Sequence, residues 1–547
     1  MTSESVRKVV IIGGVAGGMS AATRMRRLDE DAQITVIERS GYVSYANCGL
    51  PYFLGGVIDE RQSLLLQTPA SLHERFRLDV RVSHEVVAID RVAKTVRIKD
   101  LTTGAESDIE YDQLILSPGA SPVIPPIPGV ERCHTLRTVE DVDRLLQAVN
   151  LKPRHATVIG GGFIGLETAE NLSERDISVS LIEASPQVLA PLDIEMAIPV
   201  QDELLKHNID VRVNVSVTGF TPETVELSDG SIIESDLVIL AIGVRPEIAL
   251  AQSCGLEIGE RNGIKTNEFH QTSDPSIYAI GDAAEKHDAL DGSATLIPLA
   301  NLANRHGRVV ADHISGKKLR QADSIGTAIL KVFDLTVAAT GWNERRLKAA
   351  GRPYVAIHTH PGSHAGYYPG AEQMRIKLLI EPKAGQILGA QAVGAEGVDK
   401  RIDVIATAMR GGITAPELAD LELAYAPPFG SAKDPVNMLG YIAENVLSGM
   451  SPTVQWSEVE ELVKAGTQLI DVRTAAEFEA GHIPHAINIP VDSLRDNLSK
   501  INKGKVIVNC QVGQRGHIAT VLMRENGIDA YNLDGGYRTW STSPAGR

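Results

Sequence analysis

The chain is poor in cysteine: Cys48, Cys133, Cys254 and Cys510 are the only four in 547 residues. So few exclude a disulfide framework and point to a reducing compartment, the cytoplasm. Long apolar runs are missing too. None approaches the roughly 18–20 residues that a membrane-spanning helix needs. The N-terminal MTSESVRKVVIIGG enters a strand at once, without the layout of a signal peptide. Basic charge is also short: 53 Lys and Arg against 69 Asp and Glu leave a net charge of −16. That balance opposes nucleic-acid partners, which select a basic face. An anionic ligand must therefore be held by local basic residues and helix N-termini. The length exceeds what one hydrophobic core organises, so several domains are expected.

What the sequence does have is a repeated phosphate-binding pattern. The strand VRKVVIIGG leads into glycines spread over Gly13 to Gly18, then a helix, then the strand ITVIE ending at Glu38, 25 residues past Gly13. This is a βαβ unit with an acid placed to accept a ribose hydroxyl, although Val15 stands at the second glycine position of the strict fingerprint. Gly14 and Gly17 remain free to let the backbone approach a pyrophosphate. The second copy, ATVIGGGFIGLETAENL, has Gly160, Gly162 and Gly165, and SVSLIE ends at Glu183, 23 residues past Gly160. Glu183 would repel a 2′-phosphate and bond a free 2′-hydroxyl, which favours NADH and leaves NADPH as the second choice. Two such folds suggest two dinucleotides exchanging a hydride, a flavin and a nicotinamide. LILSPGASP (114–122) and LVILAIGVRP (237–246) match one another, one per copy, and IYAIGDAA puts Asp282 at a predicted helix start.

At these residues the chain resembles the flavoprotein disulfide reductases with two dinucleotide-binding domains. The resemblance implies two nested Rossmann-like α/β domains, an α+β dimerisation domain and homodimers. It implies FAD held by Gly13, Ala16, Gly17, Glu38, Arg39, Ser117, Gly119, Asp282 and Ala300. NADH would be held by Gly160, Gly162, Phe163, Ile164, Gly165, Glu183 and Gly243. The FAD domain is expected over residues 1–125 and 255–325, the NADH domain over 126–254 and the dimerisation domain over 326–447.

The redox pair of the glutathione-reductase type is spaced C-x4-C, whereas here Phe53 stands five residues after Cys48. Cys48 must act as a lone thiol, either through a sulfenic acid or through a mixed disulfide with a small thiol. SYANCGLPY, HAGYYPG and AYAPPFGSAKDPVNM resemble the CoA-disulfide reductases. That resemblance implies a role for Tyr367 and Tyr425 across a dimer, and a coenzyme A contact at Lys433. Ser20, Arg24 and Arg27 share one helix face and suit phosphate and adenine, while Ser44 and Asn47 flank the thiol. The lysine that the family has near position 76 is replaced here by Phe76, so its contact is carried over to Arg75.

SGMSPTVQWSEV (448–459) reads as a linker, and residues 453–547 resemble a single rhodanese domain of α/β type. Its pieces are DVR at Asp471–Arg473, GHIPHAINIP, and a six-residue loop from Cys510 to Arg515 that enters a helix. Backbone N–H groups and the helix dipole would favour a persulfide anion on Cys510, with Arg515 adding charge. Cys133 and Cys254 lack such a setting. His358, His360 and His364 lie in a predicted loop without carboxylate or thiolate company, so no metal is expected. The expectation is NADH-dependent reduction of CoA persulfide, polysulfide or CoA disulfide. The alternatives are an NADH oxidase or peroxidase, and a sulfur carrier or redox sensor.

Overall fold

The computed structural model describes residues 6–547. The chain divides into two compact units, residues 1–184 with 214–324, and residues 185–213 with 325–547. All the expected fold classes are present.

In the first unit the Val- and Ile-rich runs KVVII and HATVI are almost wholly buried, and each becomes the centre of a parallel sheet. Lys8–Ile12 pairs in parallel with Gln33–Ile37 and with Gln113–Leu116. Ile277–Ala279 and Asp79–Arg81 form the two edges of that sheet. In the second copy His155–Ile159 lies in parallel between Ser178–Ile182 and Leu237–Leu240. Both copies insert a three-stranded antiparallel meander before the returning strand, over His84–Asp90, Thr95–Asp100 and Glu106–Glu110 in one. In the other it runs through Val217–Phe220, Thr224–Leu227 and Ile232–Glu234. The repeat read in the sequence therefore extends well beyond its glycines.

The second unit holds an antiparallel sheet in the order Ala328–Val332, Leu335–Gly341, Ile387–Gly394, Arg375–Ile380, Val355–Thr359. Helices Val398–Gly411 and Pro435–Leu447 close its core. A parallel five-stranded sheet follows, in the order Thr453–Val454, Asp529–Leu533, Lys505–Asn509, Gln468–Asp471, Ile487–Asn488. The stretch read as a linker is thus only partly one. From Thr453 its β-branched residues pair with Asn532 and Leu533 and form the edge of this sheet. Among the described residues, no helix is long and apolar enough to cross a membrane.

A buried charge cluster ties three segments of this unit together. Lys377, fully buried on the strand Arg375–Ile380, reaches Asp193 at 2.9 Å and Glu344 at 2.6 Å, and also bonds Glu195. His358 joins Glu195 (3.0 Å) to Asp534 (2.5 Å). The histidine-rich stretch is therefore not the loop expected, since His358 stands on the strand Val355–Thr359. His360 Nε2 bonds Thr539 at 2.8 Å and His364 Nδ1 bonds the Ala365 carbonyl at 3.2 Å.

Candidate functional site

The two glycine turns are superimposable in their chemistry. Gly13 and Gly160 both adopt positive φ, 97° and 107°, where any Cβ would run into the carbonyl of Ser117 or of Ala241. A Cβ on Gly18 would fall inside the Gly13 carbonyl, and one on Gly165 inside that of Gly160. Gly18, passed over in the sequence, is therefore the close-packing glycine of the first copy. The missing signal was Val15, which made the fingerprint look incomplete. Gly14 N–H donates to Glu38 Oε2 and Gly161 N–H to Glu183 Oε2, both at 2.7 Å. Helices Ala16–Leu28 and Phe163–Ser173 begin without a side-chain cap, leaving N–H groups for a pyrophosphate. At Gly162 an added Cβ would meet nothing within 4 Å. Both loops therefore fit a dinucleotide. Asp282 lies in a short 3-10 turn rather than an α-helix, and its carboxylate accepts from Arg137 at 2.8 Å. Gly119, with φ of 76°, lies beside the same guanidinium. Ser117 receives the turn through Gly13, Gly243 has φ of 110°, and Ala300 opens the helix Ala300–Ile314. Arg39 sits at 3.8 Å from Glu85 on the surface.

Cys48 is an exposed thiol in the turn Asn47–Gly49 that leads into the helix Leu50–Gly55. Asn47 Nδ2 donates to the Arg137 carbonyl at 2.8 Å, so Arg137 joins the cysteine turn to Asp282. One helical turn beyond Cys48, the Tyr52 hydroxyl donates to Glu167 Oε1 at 3.4 Å. Burial pushes the Glu167 carboxyl up to about 7. Although Cys48 keeps an exposed surface, its thiol is raised first by partial desolvation within the turn and then by the Glu167 charge. Sequence reasoning missed Arg137, Tyr52 and Glu167. The one available signal was a carboxylate inside the second glycine helix, in GLETAE. As pH rises through about 7, Glu167 ionises and its charge adds to the upward push on the Cys48 thiol. Glu167→Gln is expected to shift the pH dependence of Cys48 alkylation by iodoacetamide downward by up to about one unit. An unmoved profile would separate the two groups.

The residues expected to hold coenzyme A differ in availability. Arg24 is not a free cation, because Asp312, fully buried, accepts from it at 2.6 Å and also draws Lys317. Ser20 Oγ donates to Asn304 at 2.8 Å. Arg27 and Arg75 are exposed, Ser44 is half-buried with φ of 47°, and Lys433 is exposed. In the second unit Tyr367 and Tyr425 are brought together, hydroxyl to hydroxyl at 2.9 Å, and the Tyr367 ring is 76% exposed. Such a pair spends one O–H between its members and leaves one to donate outward.

Cys510 ends the strand Lys505–Asn509 and is fully buried. Gly513, at φ of 93°, turns its N–H onto Sγ at 3.2 Å and starts the helix Gln514–Glu525. Arg515 is not free to face the sulfur alone. Glu477 accepts two of its N–H groups at 2.6 and 2.8 Å, and their ion pair holds the Glu477 carboxylate down to about 2. The buried Arg473 pairs with Asp471 at 2.7 Å and donates to Gln511 Oε1 at 3.1 Å, bracing the loop. Cys133 and Cys254 are half-buried, and burial pushes Cys133 up to about 11.

These two thiol sites, one beside a doubled dinucleotide fold and one at a strand-to-helix loop, define a flavoprotein reductase class joined to a sulfurtransferase fold. The chain matches the pyridine nucleotide-disulphide oxidoreductase model over residues 7–307, its dimerisation domain over 327–435 and a rhodanese-like domain over 455–543. It belongs to the pyridine nucleotide-disulphide oxidoreductase family. Coenzyme A disulfide reductase of Staphylococcus aureus (strain JH9) is 36% identical over 441 residues, 80% of this chain and 100% of that one. The structure of reduced Bacillus anthracis CoADR-RHD shares 49% identity and a TM-score of 0.97, covering 98% of both chains. A NAD-dependent persulfide reductase from A. fulgidus shares 36% identity and a TM-score of 0.92, covering 97% of this chain and 100% of that one.

Proposed function

We propose that this chain is an NADH-dependent flavoprotein reductase of sulfur–sulfur bonds in CoA persulfide, polysulfide and CoA disulfide. Cys48 is its redox thiol and Cys510 its sulfane-sulfur carrier. The observation that carries the reading is the solitary, exposed Cys48, in a turn joined through Asn47 and Arg137 to Asp282. Tyr52 follows it and bonds Glu167 of the second glycine helix, in a chain that also has a second thiol under the Gly513 N–H. Bound at the first cradle, FAD supplies two-electron transfer from NADH bound at the second.

The chain's own residues account for the rest. Gly13, Ala16, Gly17, Glu38, Ser117 and Asp282 would hold the flavin nucleotide, and Gly160, Gly162, Gly165 and Glu183 the nicotinamide coenzyme. Cys48, as thiolate, attacks the CoA-side sulfur of CoA persulfide, so that a mixed disulfide forms and sulfide leaves. Two electrons then cleave that disulfide to the Cys48 thiolate and free coenzyme A. The balance is one NADH and one proton consumed, with one CoA thiol, one sulfide and one NAD⁺ formed. In a homodimer the Tyr367–Tyr425 pair, with one O–H spent between its members, donates the other to the departing thiolate of the neighbouring protomer. Ser20, Arg27, Ser44, Asn47 and Arg75 of the first unit would contact coenzyme A, with Arg24 reaching a phosphate only by sharing Asp312, and Lys433 is a coenzyme A contact by resemblance to the CoA-disulfide reductases. The reading places the protein in the cytoplasm, where its cysteines stay reduced.

Anaerobic assay of the purified protein with NADH and CoA persulfide is expected to release one sulfide per NADH, and with CoA disulfide two thiols per NADH. NADH oxidation that requires oxygen or peroxide, with no thiol released, would replace this reading with a Cys48 sulfenic-acid oxidase.

A further inference from the structure

His358 lies on one face of the strand Val355–Thr359, and His360 follows one residue past its end. That face meets the turn supporting the Cys510 loop. The His358 main-chain N–H donates to Asp534 Oδ1 and Oδ2 at 3.0 and 3.1 Å, and its Nδ1 donates to Oδ2 at 2.5 Å. Its Nε2 donates to Glu195 Oε1 at 3.0 Å. His358, Asp534 and Glu195 are each no more than 3% exposed. A carboxylate can only accept, so a ring facing one at each nitrogen carries both protons and is an imidazolium. Burial opposes that charge, but Asp534 and Glu195 outweigh it and push His358 up to about 9.

Asp534 directly precedes Gly535 and Gly536, both left-handed, with φ of 67° and 63°. A Cβ on Gly536 would fall inside the Cys510 carbonyl, so the two backbones touch. From this turn Tyr537 N–H donates to Cys510 O at 2.7 Å and Arg538 N–H to Gln511 O at 3.0 Å. Upstream, Asn532 Nδ2 donates to Gly513 O at 3.1 Å. The loop that aims the Gly513 N–H at the Cys510 sulfur is thus suspended from a backbone segment held by the Asp534 carboxylate together with the Asp534 N–H bond to the Val454 carbonyl. His360, through Thr539, holds the following helix to the same strand.

We propose that His358 is a positioning residue for Cys510: it fixes Asp534, and through the Gly535–Gly536 turn it sets the geometry of the sulfur-carrying loop. The antiparallel sheet thereby becomes a working part of the sulfurtransferase site. The inference rests on Cys510 being the sulfur carrier. Donor alignment is what such a loop contributes, and a displacement of about 1 Å can cost on the order of 10²-fold in rate.

The test uses the full-length protein, thiosulfate as donor and cyanide as acceptor. In His358→Gln and Asp534→Asn, kcat is expected to fall about tenfold while KM for thiosulfate stays within about twofold. The pH profile of Cys510 alkylation, followed by peptide mass spectrometry, should move upward. NADH-dependent CoA disulfide reduction should be unchanged, and the double variant should lose no more than either single one. An unmoved kcat and alkylation profile would overturn the proposal. So would a parallel loss of both activities with Tm, which would make His358 a fold-stabilising residue alone. Sulfurtransfer surviving in Cys510→Ser would instead overturn the carrier assignment, an outcome that needs no change at His358.

Discussion

Cys48→Ser is expected to lower NADH-dependent reduction of CoA persulfide and CoA disulfide by about 10³-fold or more, the scale of losing a reaction's nucleophile. A hydroxyl is a far poorer nucleophile than a thiolate and cannot form the mixed disulfide. No neighbour can substitute, because Phe53 occupies the place of a second cysteine and is buried. Cys133 and Cys254 are half-buried with thiols pushed upward by burial, so replacing either should leave turnover within about twofold. Flavin content, flavin bleaching by NADH and thiosulfate sulfurtransfer should survive in the Cys48 variant. Stopped-flow absorbance separates these steps: bleaching should proceed, and reoxidation by the sulfur substrate should not. Normal reoxidation would remove Cys48 from the mechanism.

The second large effect concerns stability. Lys377→Met removes the one ammonium that Asp193, Glu195 and Glu344 share inside the second unit. Methionine nearly matches the lysine in volume, so the loss is electrostatic. Uncompensated buried carboxylates cost about 3–5 kcal/mol when a buried pair is broken, and the thermal transition of this unit should fall by about 10 °C. The native cluster should also be acid-sensitive. Glu344 is opposed by burial but held down to about 2, chiefly by Lys377, and Glu195 is depressed further. A depressed carboxylate stabilises fully above its ordinary value of 4.5 and loses that contribution as pH falls toward 2. The Lys377→Met variant should lack this acid limb in a calorimetric pH series. An unchanged melting temperature would mean that the three carboxylates are compensated elsewhere.

Much of this architecture was legible in the chain because glycine spacing, β-branched runs and a terminal acid act over a few residues. Those local rules gave both dinucleotide turns and pointed to the two thiols proposed above as the working ones. Partners set by distant chain were not legible. Arg137 reaches Asp282 across 145 positions, and His358 reaches Asp534 across 176. Nothing near Arg137 or Asp534 marks either residue in the sequence. Arg24 and Arg515 were legible as cations, but the carboxylates that occupy them, Asp312 and Glu477, lie 288 and 38 residues away. Gly18 was hidden because a fingerprint read as letters hides which glycine answers to sterics and which to the ligand. The edge strand at Thr453 was masked by the small and polar residues before it.

The tether between the Gly161 N–H and Glu183 has a consequence for redesigning coenzyme choice. On the proposed reading, in which Glu183 faces the ribose, an acid bonded to its own loop has less freedom to swing aside, so discrimination against a phosphorylated ribose would rest on the backbone as well as on the charge. Replacing the glutamate alone would slacken the very turn on which any dinucleotide must rest. A switch of cosubstrate would have to supply both a new cation and a new anchor for that amide.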